Sequence, residues 1–275
     1  MDLNTIAEVA RPQSRAELPV WTAGDAFLAG GTWLFSEPQV HLKRLIDLTD
    51  LKWPALTIHE RGLTIAATCT VAQLDALACP SDWLAASLIN QCCRSFLASF
   101  KIWKTATVGG NLCMSLPAGP MISLASALDG VCTIWQADGA ERKIEVADFV
   151  TGDQQNVLQP GDLLRQIDIP LAALKRRSAF RQISLAPAGR SAALLIGSLT
   201  SDDTLLLTVT ASTKRPVRLS FDRIVDPGAM RQAILQAIPD GIYHDDVHGK
   251  PLWRKHMTLR LAEEIRTELL GVGRS

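Results

Sequence analysis

Ala29-Gly30-Gly31-Thr32 and Thr107-Val108-Gly109-Gly110-Asn111 decide how this chain is read. Each double glycine follows a short apolar run and opens a polar stretch, the pattern of a strand giving way to a turn. Residues without side chains let the backbone approach a bulky anion there, and successive N–H groups can converge on it. One Gly-Gly is commonly a tight turn and nothing more. Two in matching contexts predict a single diphosphate cradle assembled from both. Neither has the Gly-x-Gly-x-x-Gly form, so a Rossmann site is not indicated.

Outward from the first pair, Asp25 to Ala29 reads as a strand entering the glycines, and Arg44 to Leu48 as another, joined by helix or loop. Leu63 to Ala67 is a third strand, and Thr70 is placed to cap a helix over Val71–Leu77. Leu84, Leu88, Cys92, Phe96 and Phe100 recur every four residues, which predicts one helix from Trp83 to about Phe100 with a single buried stripe. A helix over Met121–Leu128 ends at Gly130, a hairpin turns at Asp138-Gly139, and a strand from Leu163 stops at Pro170. Further on, Ala192–Leu199 and Thr204–Ala211 have strand character and Leu259–Leu270 is helical. The change of texture places a domain boundary near residue 172, giving domains 1–172 and 173–275, with a break inside the first near 55–60.

Composition narrows the function. With 275 residues and 47% hydrophobic content the chain builds a substantial core, and 28 basic against 28 acidic residues give no electrostatic pull toward nucleic acid or an anionic membrane. Met1 to Thr5 lacks the pattern of a secretion signal, and no apolar run nears the roughly 20 residues of a membrane span, so a cytoplasmic location is expected. The 6 cysteines, at 69, 79, 92, 93, 113 and 132, lack Cys-x-x-Cys spacing. They read as buried thiols, and an iron–sulfur cluster would have to come from a partner chain.

Other features have plainer readings. His244-Asp245-Asp246-Val247-His248 has metal-like spacing but sits between Gly241 and Gly249, which favours a solvated loop and no metal site. Lys175-Arg176-Arg177 reads as a solvated interdomain face. Of the tryptophans, Trp33 directly follows the first cradle and is placed to pack against what the cradle holds.

Five stretches in order, Leu28–Thr32, Leu63–Thr70, Ala106–Cys113, Ala147–Gly152 and Leu163–Pro170, together resemble the FAD-binding (medium) subunit of the molybdenum hydroxylases, the family of the carbon monoxide dehydrogenase medium subunit and the xanthine dehydrogenase flavin domain. The resemblance implies an α+β chain: a two-part FAD-binding domain of the vanillyl-alcohol oxidase (PCMH) type, then a small α+β domain with a three-stranded sheet. FAD would lie between the two parts. By position, Leu28, Ala29, Gly30, Gly31, Thr32, Trp33 and Leu34 would line its diphosphate, as would Thr107, Gly109, Gly110 and Asn111. Ala106 and Cys113 would flank the cofactor, Leu163 and Leu164 would lie near the flavin, and Leu97 matches an apolar residue that covers the ring in some relatives.

Two departures stand out. Where relatives carry Ser-Pro-x-x-Asp after the second glycine pair, this chain reads Leu116-Pro117-Ala118-Gly119-Pro120, without the carboxylate. A lysine common in the first C-terminal strand corresponds to Gln182. The resemblance implies an electron-transfer oxidoreductase subunit in a hetero-oligomer, taking electrons from a [2Fe-2S] iron–sulfur subunit served by a molybdopterin-binding large subunit. It needs no catalytic acid or base in this chain, because the flavin carries the redox chemistry. The alternative is a flavin-free scaffold subunit of the same kind of complex.

Overall fold

The fold is described from a computed structural model covering residues 3–187 and 189–271. Asp25 anchors its first sheet. The carboxylate, 1% exposed, accepts from Arg44 Nε at 2.9 Å and Nη2 at 2.6 Å and from the Thr22 N–H at 2.7 Å. The guanidinium holds the Asp25 carboxyl below its usual range. This ion pair ties the start of β2 (Asp25–Leu28) to β3 (Arg44–Asp47), and with β1 (Glu8–Ala10) they form a parallel sheet in the order β1-β3-β2. The link from β2 to β3 is loop and turn, with no helix.

A second sheet follows. After β4 (Leu56–His59) and β5 (Gly62–Ala66) come five helices: α1 (Val71–Asp75), α2 (Ala86–Arg94), α3 (Phe100–Trp103), α4 (Val108–Met114) and α5 (Pro120–Ala127). Then come β6 (Val131–Trp135), β7 (Glu141–Glu145), α6 (Val146–Phe149), the short pair β8 (Val150–Gly152) and β9 (Gln155–Asn156), and β10 (Leu163–Pro170). The last of these enters the middle of an antiparallel sheet ordered β4-β5-β10-β6-β7. Every residue of α5 is buried, and this helix packs against α2, α4 and α6. A helix apolar on all sides belongs at the centre of a fold.

The single helix expected from Trp83 to Phe100 is instead two. The fourfold recurrence holds through Leu88 and Cys92, both buried, but Leu84 is 58% and Phe100 69% exposed. Serines interrupt it: Ser95 Oγ donates to the Cys92 carbonyl at 2.8 Å, and Ser99 caps the new start at α3. Such local side-chain bonds compete with helix continuation.

After α7 (Leu171–Leu174) the C-terminal unit is an antiparallel sheet of β11 (Arg177–Ile183), β12 (Ala193–Leu199), β13 (Leu205–Thr210) and β14 (Val217–Phe221), with α8 (Pro227–Ala237) and α9 (Pro251–Gly271). The sheet has four strands, not the three implied by the resemblance. Val217 and Leu219 are buried while Arg218 and Ser220 are exposed, so this edge segment has the alternation a strand needs, and it pairs with β13. β12 is buried along its whole length because α9 packs on it and α5 also reaches it.

Two other expectations change. Arg176 is not a solvated residue: its side chain is 10% exposed and pairs with Asp129, which also pairs with Arg218 of β14. Lys175 does face solvent and reaches Asp82 at 2.9 Å. The His244–His248 segment is a loop exposed at Asp245 and Val247 but anchored at Asp246 by Arg254. Arg254, 1% exposed, also donates to the carbonyls of Ala192, Ala211 and Gly249. Among the described residues no helix is long and apolar enough to cross a membrane, and no group of three or more His, Cys, Asp or Glu is placed to hold a metal ion.

Candidate functional site

β2 ends at Leu28, and the chain then runs through Ala29, Gly30 and Gly31 into a turn over Thr32–Ser36. Leu28 through Leu34 are all half-buried. Gly31 has φ +67°, a backbone state that suits glycine. The turn closes through the Phe35 N–H on the Gly31 carbonyl at 2.8 Å and the Ser36 N–H on the Trp33 carbonyl at 2.8 Å. The backbone N–H groups from Ala29 to Leu34, by contrast, have no acceptor among the described residues. A consecutive run of backbone donors without a chain partner is what an anion needs.

The second segment differs from the turn expected. Thr107 is the N-cap of α4, so Gly109 and Gly110 lie in a helical first turn. The donors there are engaged within the chain: Val108 N–H to the Cys69 carbonyl at 2.8 Å, Gly109 N–H to the Ala67 carbonyl at 3.0 Å, Gly110 N–H to Thr107 Oγ1 at 3.0 Å and Asn111 N–H to the Thr107 carbonyl at 3.0 Å. These glycines serve close approach: a Cβ on Gly109 would lie 2.5 Å from that of Ala67. Asn111 is also committed, its Oδ1 accepting the Met121 N–H at 3.1 Å at the start of α5. Pro120 sits buried at the first position of that helix, where its missing N–H costs nothing.

The two segments meet. Gly30 lies against the backbone of Thr105 and Ala106 with no room for a side chain. Ala29 packs, together with Trp53 and Trp135, on a cluster of Leu48, Leu51 and Leu163 that joins the first sheet to the second. Leu164, on the next position of β10, faces the main core with Ala106 and Leu112. Cys113 is half-buried; burial pushes its thiol up to about 12, and its carbonyl accepts from Asn156 Nδ2 at 2.8 Å. Leu97, 56% exposed, stands on the loop between α2 and α3. Gln182 is exposed on β11 and donates to Ser191 Oγ at 2.9 Å.

One group the sequence reading passed over is Arg165. It is the extra residue of a bulge in β10 between Leu164 and Gln166, and its guanidinium lies 4.2 Å from the Trp53 ring centre and 5.7 Å from that of Trp135.

Residues 6–172 match the family described as the FAD binding domain in molybdopterin dehydrogenase. The chain belongs to that family of FAD-binding oxidoreductase components. A curated relative, the caffeine dehydrogenase subunit beta of Pseudomonas sp. (strain CBB1), is 32% identical over 88 residues, a stretch covering 32% of this chain and 30% of that protein. Among solved structures, quinoline 2-oxidoreductase from Pseudomonas putida 86 superposes with a TM-score of 0.76 at 17% identity, covering 98% of this chain and 99% of its own. Reconstituted CO dehydrogenase from Oligotropha carboxidovorans gives 0.77 at 21% identity, over 94% and 97%. Likeness at that level of identity establishes a shared fold.

Proposed function

We propose that this chain carries FAD as the electron-transfer subunit of a multi-subunit molybdenum and iron–sulfur hydroxylase or dehydrogenase. The observation that supports it most directly is the run of uncommitted N–H groups from Ala29 to Leu34, half-buried at the junction of two sheets. These donors fit a diphosphate, and Gly30 lets that strand end close on Ala106. On this reading the parallel and antiparallel sheets are the two parts of a vanillyl-alcohol-oxidase-type domain ending near residue 172. The α4 segment then contributes a close-fitting wall, without donors of its own. Bound flavin supplies the redox chemistry, receiving electrons from an iron–sulfur partner and passing them to an external acceptor. The protein's part is to orient the cofactor and govern access to it.

A flavin-free scaffold is the second reading, favoured by Pro120 standing where relatives carry an aspartate and by the engaged donors of α4. The visible spectrum of the purified chain separates the two, with heat release of any flavin and titration with FAD if it is colourless. Bound FAD near one per chain supports the first reading. Folded protein that neither carries nor takes up FAD overturns it in favour of the second.

A further inference from the structure

We propose that Arg165 is the cationic contact of the candidate site, its guanidinium receiving a phosphate of the dinucleotide laid along Ala29–Leu34; this rests on the function proposed above. The side chains of Leu28–Leu34 and Ala106–Cys113 carry no charge, whereas a diphosphate brings a double negative charge into a half-buried groove. Backbone N–H groups alone would have to balance it.

Three observations bring Arg165 to that place. Two backbone hydrogen bonds link it to the second glycine segment: Ala67 donates to the Arg165 carbonyl at 3.0 Å and accepts from the Gly109 N–H at 3.0 Å. Toward the first segment, its guanidinium lies 4.2 Å from the centre of the Trp53 ring and 5.7 Å from that of Trp135, and both indoles pack with Ala29 around Leu163. And the bulge at Leu164/Gln166 is the kind of irregularity that re-aims a side chain out of the regular alternation of a strand.

The side chain is also chemically suited. Half-buried, it has no carboxylate or carbonyl acceptor among the described residues, unlike the buried Arg254 and the paired Arg44 and Arg176. None of its nitrogens is among the fully enclosed, unpartnered atoms, so its donors remain reachable. The guanidinium lies over Trp53 and beside Trp135, whose ring is perpendicular to that of Trp53, and its planar fork of N–H groups is suited to taking phosphate oxygens in pairs. Arg15 sits over the outer Trp135 ring at 4.8 Å, but its Nη2 is held by the carbonyls of Gly139 and Ala140 at 2.8 and 2.7 Å. Of the two, Arg165 has none of its nitrogens engaged by a chain acceptor among the described residues.

The test uses the full chain with Arg165→Met, which keeps the stem on the indoles without the charge, and Arg165→Lys, which keeps charge without the fork. Calorimetric titrations with inorganic pyrophosphate and with FAD are run on each, alongside thermal melts. Expected are binding of both by the wild-type chain, affinities about tenfold to a hundredfold weaker in Arg165→Met, and partial recovery in Arg165→Lys. The wild-type affinity should also weaken with added salt more steeply than that of Arg165→Met. Equal affinities across the wild-type and variant chains overturn the role of Arg165 and leave FAD binding standing. Pyrophosphate binding that depends on Arg165, with no uptake of FAD, overturns the function proposed above and keeps the anion site. A wild-type chain that binds neither overturns both. If Arg165→Met does not fold, Arg165→Lys and the salt dependence of the wild type carry the comparison.

Discussion

The carbonyl oxygen of Thr105 occupies the place where a side chain on Gly30 would begin: a Cβ there would lie 1.8 Å from it. Backbone meeting backbone leaves nothing flexible to give way. Gly30→Ala therefore has to push the loop after β2 away from the segment before α4. The expected cost is about 1–3 kcal/mol, as for overpacking elsewhere, together with loss of FAD uptake beyond what the lower melting temperature explains. Gly241→Ala is the control, since nothing lies within 4 Å of its Cβ position. Melts and bound FAD per chain check both; a Gly30→Ala protein with wild-type stability and full FAD would show that the two segments do not meet as described.

Thr107 holds the other side of this contact. Its Oγ1 caps α4 by accepting the Gly110 N–H at 3.0 Å. Thr107→Val keeps the shape and removes the acceptor, leaving a half-buried helix donor unsatisfied, and should destabilise the chain by about 1 kcal/mol. Thr107→Ser retains the hydroxyl and should recover most of it. Denaturant melts of the three chains measure this, and a Thr107→Val chain as stable as wild type would mean that water or the backbone replaces the cap without cost.

Thr107 also shows what was legible in the sequence. Thr-x-x-Gly before an apolar residue is an N-cap pattern as much as a turn, yet Gly109-Gly110 predicts a turn because glycines are poor helix formers. Tertiary packing against Ala67 decides otherwise, and no local signal carries that. Where apolar period and cap agree, as at Thr70 with its capping box on Gln73, sequence and structure coincide. The hairpin at Asp138-Gly139 is readable for a similar reason, with Gly139 at φ +90°. Arg165 was invisible because its role depends on a bulge and on two tryptophans more than a hundred and about thirty residues away, partners that only the β4-β5-β10-β6-β7 order brings together. The committed Asn111 side chain was missed likewise: its partner, Met121 N–H, lies across a turn.

Buried thiols give the chain an alkaline limit. Burial pushes Cys69, Cys93 and Cys113 from the ordinary thiol value of 9.0 up to about 12 and raises Cys79, Cys92 and Cys132 as well. Between those values the folded chain keeps protons that the unfolded chain releases, so ∂ΔG/∂pH of unfolding is negative. Stability from this source is full below about pH 9 and is lost as pH rises toward 12. Denaturant midpoints taken upward from neutral pH should fall increasingly steeply past about pH 9, and Cys113→Ser, tolerated in the fold, should soften the fall. The same thiols should resist alkylation at neutral pH. A midpoint unchanged through that window, or rapid labelling of Cys113 in the folded chain, contradicts the assignment.

The last prediction concerns the joint between the flavin domain and the C-terminal sheet. Ser123 Oγ of α5 and Thr210 Oγ1 of β13 lie 2.7 Å apart and buried, with Thr210 Oγ1 donating on to the Leu194 carbonyl at 3.1 Å. Next to them the Ala211 N–H donates to the Pro117 carbonyl at 2.9 Å. Ser123 Oγ likewise reaches a carbonyl of its own, that of Gly119 at 3.3 Å, so either hydroxyl can be the donor between them, and Ser123→Ala and Thr210→Val each remove the shared bond together with one bond to a carbonyl. Each single change should cost about 1–3 kcal/mol, the range for an orphaned buried polar group. The double variant should be milder than their sum by about 0.5–1.5 kcal/mol, because neither change then strands the other's partner. Additive costs would show that the two hydroxyls act independently. Coupling would make the α5 to β13 contact an energetic joint. Because Asn111 caps the same helix, Asn111→Ala should then loosen the C-terminal unit as well as the cradle, readable as faster amide exchange along β13 than in wild type.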